Sequence, residues 1–137
     1  MSLDFSQVNW LAVVAAGLAD MVVGALWFSP VLFGKAWMRG AGVTDEAARA
    51  NAARGYTLAI FASLVIAAVL AALFAGSGVA GPAAGARWGA VLGAGLVAMF
   101  VAMIHAFETR PTSLIAIDAG YAVAATAVMG AIVGAWR

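Results

Sequence analysis

The chain has 137 residues, 66% hydrophobic and only 9% charged, with a mean hydropathy of +1.05. Soluble domains carry about a quarter charged residues, and a soluble fold this short cannot hide so much apolar surface, so lipid must solvate most of it. A net charge of +1 excludes a nucleic-acid-binding role, and the lack of Cys excludes disulfides, thiolate chemistry and Cys-ligated zinc.

The N-terminal stretch MSLDFSQVNW has no basic segment and carries Asp4, so it reads as the approach to a membrane helix, not as a cleaved signal peptide. The first apolar span covers 8–28, long enough for the roughly 20 helical residues that cross a hydrocarbon core. Asp20 lies about 12 Å from its C-terminal end at the helical rise. An acid at that depth costs on the order of 2.5–3.5 kcal/mol, while the Val, Leu and Phe residues of the span return about 3–5 kcal/mol together. The two nearly cancel, so Asp20 is expected to face protein or water, or to be protonated.

Ser29-Pro30 ends the first helix, because proline disfavours a helical residue before it. The connection that follows is the only long one, and it is amphipathic. Residues 31–38 are apolar around Lys35 and suit the membrane interface. Thr44 is a good N-cap with Asp45 and Glu46 after it, and the Ala-rich run beyond predicts one helix from about Asp45 into the second span, 56–75. Such a helix is about 45 Å long, so its first turns should stand outside the membrane.

A Gly-rich turn closed by Pro82 leads to the third span, 86–107, and a tight turn at Arg110-Pro111 leads to the fourth, 114–136. Alternating ten-residue strands are absent, so helices are expected throughout. Trp10, Trp27, Tyr56, Trp88 and Trp136 fall near span ends, as an interfacial aromatic belt requires. Lys35, Arg39, Arg49, Arg54 and Arg110 lie on the side of the first and third connections, against Arg87 and Arg137 on the other. That bias predicts cytoplasmic first and third connections with both termini outside, periplasmic if the membrane is the inner membrane of a Gram-negative bacterium.

Small residues recur at helical spacing: Gly85, Gly89 and Gly93, with Gly95 beyond; Ala59, Ser63, Ala67, Ala71 and Ala75; and Ala122, Thr126, Gly130 and Gly134. Such stripes let helix backbones approach closely in lipid. They serve either packing inside one four-helix bundle or contacts in a homo-oligomer.

The scarce ionisable groups cluster. HAFETRP places His105, Glu108 and Arg110 at the end of the third span, with Asp118 and Tyr121 one to two turns into the fourth. A short turn joins these span ends, on the side from which Asp20 is reached. Asp20, His105, Asp118, Glu108, Arg110 and Tyr121 therefore form a candidate intramembrane polar site: a cavity mouth with Asp20 at its floor and Arg110 as the candidate cation for it. The structural alternative is an interfacial Glu108–Arg110 pair tying the turn, with His105 capping its helix or donating to Asp118. No catalytic residues are assigned, because neither HExxH nor GxSxG occurs and no carboxylate pair has a catalytic spacing. No metal and no cofactor are expected.

Three stretches, VNWLAVVAAGLADMVVGALWFSPVLFGKAWMRG, HAFETRPTSLIAIDAGY and AVMGAIVGAWR, resemble the bacterial membrane proteins grouped as DUF1761, over nearly the whole chain. The most specific parts are GALWFSPVLFGKAW and the helix from Asp118-Ala-Gly-Tyr121 to Trp136. The resemblance implies a small four-helix membrane protein and no assigned activity; Asp20 matches no motif of it. The expectation is thus an all-α integral membrane four-helix bundle in the lipid bilayer, homo-oligomeric, serving small-solute or proton-linked passage as a transporter or channel. The alternative is a structural or regulatory subunit that binds another membrane protein.

Overall fold

The computed structural model describes residues 3–137; Met1 and Ser2, where the N-terminal stretch begins, lie outside them. Four helical passes are long and apolar enough to cross a membrane, and no strand occurs among the described residues. Helix α1, Trp10–Trp27, starts where the Asn9 side chain accepts the Leu11 and Ala12 N–H groups. The Asn9 amide also donates to the Trp136 carbonyl at 3.2 Å, which ties the start of the first pass to the end of the last.

After Ser29-Pro30 the backbone turns tightly and α2, Gly34–Ala41, folds back under the bundle. A Cβ on Gly34 would strike the Phe28 and Ser29 carbonyls, so only glycine lets the turn close. Trp37 meets Phe28 edge-on with ring centroids 5.7 Å apart, and Gly40 sits against Leu114 and Pro111. The segment expected to lie flat in the interface is therefore docked on the fourth pass by part of its length, with Val31 and Leu32 left exposed.

Helix α3, Asp45–Ser77, is capped by the Thr44 hydroxyl, which accepts the Ala47 N–H at 3.2 Å. Its 33 residues make a helix about 50 Å long against a hydrocarbon core of about 30 Å, so its first turns project beyond it. Gly55 does not interrupt it.

The third pass is not one regular helix. It runs as α4, Pro82–Leu92, then a π-helical turn, Gly93–Val97, then α5, Ala98–Phe107. Gly85 and Gly89 press α4 onto the backbone of α6, Thr112–Ala135, near Gly130, Gly134 and Thr126. Gly93 closes on the Thr126 side chain. At this closest approach the extra residue of a π turn resets the helix face. A periodic apolar pattern carries no sign of such a turn.

Helix α6 is the centre of the molecule and touches all the other helices. α1 and α3 pack together on one side of it, and α4 lies along another. The dry core, with Val13, Ala16, Leu70, Phe74, Met129 and Val133 at its heart, fills the half of the bundle on the side of the termini. The other half, towards α2, is where the polar residues and a cavity lie. The outward faces keep Leu11, Leu18, Val22, Phe61 and Phe100 exposed, surface that only an apolar solvent can cover.

Candidate functional site

Asp20 is 5% exposed. It reaches from α1 into the seam between α3 and α6, where two hydroxyls meet it. Tyr121 donates to Oδ1 at 2.8 Å, and Ser63 lies 2.5 Å from Oδ2. The Ser63 oxygen is also 2.7 Å from the Ala59 carbonyl of its own helix. A hydroxyl has one hydrogen, so Ser63 serves one of these acceptors at a time. Two arrangements fit. Either Ser63 donates to an Asp20 carboxylate, or a hydrogen on Asp20 Oδ2 is donated to Ser63, which in turn donates to Ala59. Among the described residues no cation touches Asp20 in either.

Arg110, the expected partner, does not reach inward. Its Nε donates to Glu108 at 3.2 Å, and its Nη1 donates to the Ala41 carbonyl at the end of α2, 3.1 Å away. The reason is energetic: a guanidinium at the bundle end keeps some water and finds two acceptors there, while burying it would cost several kcal/mol. The Arg110 hydrogen bond, followed by the one from His105, holds the exposed Glu108 carboxyl below its ordinary range.

His105 bridges this surface cluster to the interior. Its Nε2 lies 2.7 Å from Asp118 and its Nδ1 3.4 Å from Glu108. Both partners are carboxyl oxygens, and a carboxylate only accepts, so a ring nitrogen serves one by donating its hydrogen. The short Asp118 contact is the principal one. It lies across the α5–α6 packing, and both side chains are about one-fifth exposed. Tyr121 follows Asp118 on the same face of α6, about one turn deeper. Its ring is fixed by Phe28, with centroids 5.1 Å apart.

Asp20, His105, Asp118 and Tyr121 share one cavity of about 330 Å³. Its other walls are mostly apolar, with Ile66 from α3, Val101 and Ile104 from α5, and Ala125 and Met129 from α6; Thr126 also lines it, its hydroxyl donating to the Ala122 carbonyl of its own helix. The cavity is a groove between α3 and α5 floored by α6. Glu108 and Arg110 stand outside it. The six polar residues singled out in the sequence thus fall into two groups, four in the cavity wall and two at the turn outside its mouth. Among the described residues no three His, Asp or Glu side chains converge as a metal site would require.

Sequence reasoning missed Ser63 and Trp27. Ser63 reads as one more small residue in an alanine stripe; its signal was being the hydroxyl nearest the middle of that span. Trp27 reads as an interfacial anchor. In fact its indole N–H donates to the Ile117 carbonyl at 3.1 Å, and its ring packs on Phe33 with centroids 4.8 Å apart. It clamps the end of α1 to α6 beside the site.

Four apolar passes around a central helix, with an acid hydrogen-bonded at depth, define a multi-pass membrane helix bundle. The family model described as a protein of unknown function, DUF1761, matches residues 11–134, nearly the whole chain, and the protein belongs to that family. No curated protein and no solved structure matches it.

Proposed function

We propose that the chain mediates proton-linked passage of a small solute, as a homo-oligomer in a bacterial inner membrane with both termini periplasmic. The observation that carries this reading is the single cavity onto which Asp20, Asp118, His105 and Tyr121 all open. Ionisable groups are expensive at membrane depth and serve ion or proton movement when they line a cavity. Here they descend stepwise, from Glu108 and Arg110 at the turn, through His105 and Asp118, to Tyr121, Asp20 and Ser63. One chain encloses little volume, and the groove is open along one side. A second copy laid over it would complete the enclosure, and the exposed apolar stripe Leu11, Val14, Leu18 and Val22 on α1 is a surface able to join copies.

The test is reconstitution. Proteoliposomes holding the wild-type protein, an internal pH dye and an imposed proton gradient should change internal pH faster than empty liposomes. Asp20→Asn should return the rate to background while the protein stays folded. Wild-type vesicles no faster than empty ones, across a panel of added solutes, would overturn the reading.

One feature favours the alternative, a structural or regulatory subunit. The polar steps end at Ser63 and Thr126, and beyond them Leu70, Phe74 and Val133 pack the remaining half dry. A passage needs this half to open; a subunit that only binds a partner does not. Copurification of another membrane protein at fixed stoichiometry, together with inactive proteoliposomes, would establish that role instead.

A further inference from the structure

The groove differs from a water-filled path in one respect: its walls are almost entirely aliphatic. Ile66, Val101, Ile104 and Met129 present hydrocarbon, interrupted only by Asp20, His105, Asp118, Tyr121 and Thr126. A free ion of high hydration energy gains nothing from such walls. A neutral apolar molecule gains nothing from the Asp20 carboxyl. The groups that face Asp20 decide what completes the site. From α3 comes the Ser63 hydroxyl and from α6 the Tyr121 hydroxyl. Across the cavity stand Asp118 and His105, already joined to each other at 2.7 Å. Asp118 thus already has the His105 ring as its partner. Asp20 has two neutral donors and, among the described residues, no cation, and it is the carboxyl left to exchange.

We propose that the groove is a binding site for a lipophilic monovalent organic cation, a quaternary or protonated amine with a compact apolar body, whose charge replaces a proton on Asp20. This rests on the passage reading and names the class of its solute. The exchange balances: Asp20 in its carboxyl form gives its hydrogen to solvent at the His105–Asp118 end, the carboxylate keeps the Tyr121 and Ser63 donors, and the cation neutralises it. Net charge in the groove is unchanged, which keeps the cost of either state low in a medium that penalises unpaired charge. The apolar body lies along Ile66, Val101 and Ile104, and burial of that surface supplies the affinity. A volume of about 330 Å³ is at the small end of ligand cavities, which limits the occupant to a body of about one aromatic ring or a short branched chain.

The probe is benzyltrimethylammonium, with the uncharged isostere neopentylbenzene as control, added to the full-length protein in mild detergent and in nanodiscs. Binding is read by change in tryptophan fluorescence, since Trp27 lies 6.5 Å from Tyr121 ring to ring, and by proton release in weakly buffered solution. The cation should bind saturably and release about one proton per ion bound, and the isostere should release none. Asp20→Asn should weaken binding at least about tenfold and abolish proton release. Should that variant not fold, Val101→Trp, which fills the groove without touching the carboxyl, should block binding while leaving assembly intact. Equal binding of cation and isostere, binding without proton release, or no binding by folded wild-type protein would each overturn the proposal. Binding without uptake in proteoliposomes would instead sink the passage reading and leave the site standing. Proton passage by protein that does not bind the probe would do the reverse.

Discussion

Asp20 shows how an acid is kept at membrane depth: both its oxygens have partners. Removing either donor therefore leaves a buried acceptor bare, which costs about 1–3 kcal/mol. Tyr121→Phe keeps the ring against Phe28 and should lower stability by that amount, read as a reduced melting temperature in mild detergent. Asp20→Asn should differ little, within about 1 kcal/mol of wild type, because its amide donates to Ser63 and its oxygen still accepts from Tyr121. A larger loss for Asp20→Asn than for Tyr121→Phe would mean that the charge itself holds the fold. At the turn the logic follows pH. Glu108 is held below its ordinary range by Arg110 and His105. A depressed carboxyl stabilises the folded state above its unfolded value, and the effect fades as pH falls through the folded one. Glu108→Gln should therefore destabilise slightly at pH 7 and lose its effect in acid, once pH has fallen through the lowered range of the folded carboxyl. The pair is solvent-exposed and salt should weaken it. The position of Asp20 was legible because an isolated acid in an apolar span is conspicuous. Its partners were less so: Ser63 hid among alanines, and Arg110 was closer in sequence logic than in reach.

Between elements, the strongest feature is the seam of α4 and α6. A Cβ built on Gly89 would overlap the Thr126 carbonyl, and one on Gly85 the Gly130 carbonyl. Both neighbours are backbone and cannot turn aside. Gly89→Ala should therefore cost about 1–3 kcal/mol through overpacking. Gly95, two residues beyond Gly93, has nothing within 4 Å of such a Cβ. Gly95→Ala should be neutral or stabilising by up to about 1 kcal/mol, because alanine is the better helix former. Unfolding of the two variants side by side checks the contrast; equal effects would mean that the seam relaxes. The glycine spacing was visible in the sequence, and so was Gly130–Gly134. What spacing cannot carry is the identity of the facing helix, since each stripe is equally able to meet another pass or another copy. The π turn was invisible for the same reason: one extra residue in a uniformly apolar run changes no pattern.

For the whole molecule, four passes follow from apolar run lengths alone, because lipid permits little else for a chain of this composition. The lateral arrangement does not follow. In water the buried face of a helix is marked by its contrast with a polar face; here both core and lipid are apolar, and the contrast vanishes. Only the scarce polar residues and glycines break the symmetry: Asp20 and Ser63 mark the seam of α1 and α3 with α6, His105 and Asp118 that of α5 with α6, and Gly85 and Gly89 that of α4 with α6. The resulting bundle is uneven from end to end, dry towards the termini and polar towards α2. Its orientation across the membrane decides which compartment the cavity mouth faces. Lys35, Arg39, Arg49 and Arg54 lie in α2 and the projecting turns of α3, all on the mouth side. Two basic residues carry less weight in this bias because structure already uses them. Arg110 is engaged with Glu108 and Ala41, and Arg137 donates to the Phe74 and Val79 carbonyls at the opposite end. Setting both aside leaves the four of the mouth side against Arg87 alone, so the asymmetry survives. The mouth is therefore expected in the cytoplasm. The natural absence of cysteine makes the check direct. Ala50→Cys, in the exposed first part of α3, should resist a membrane-impermeant maleimide in intact cells and react once they are permeabilised. Ala80→Cys, in the turn before α4, should react in intact cells. Reversed labelling would put the cavity mouth outside, and a cation drawn to Asp20 would then enter from the periplasm.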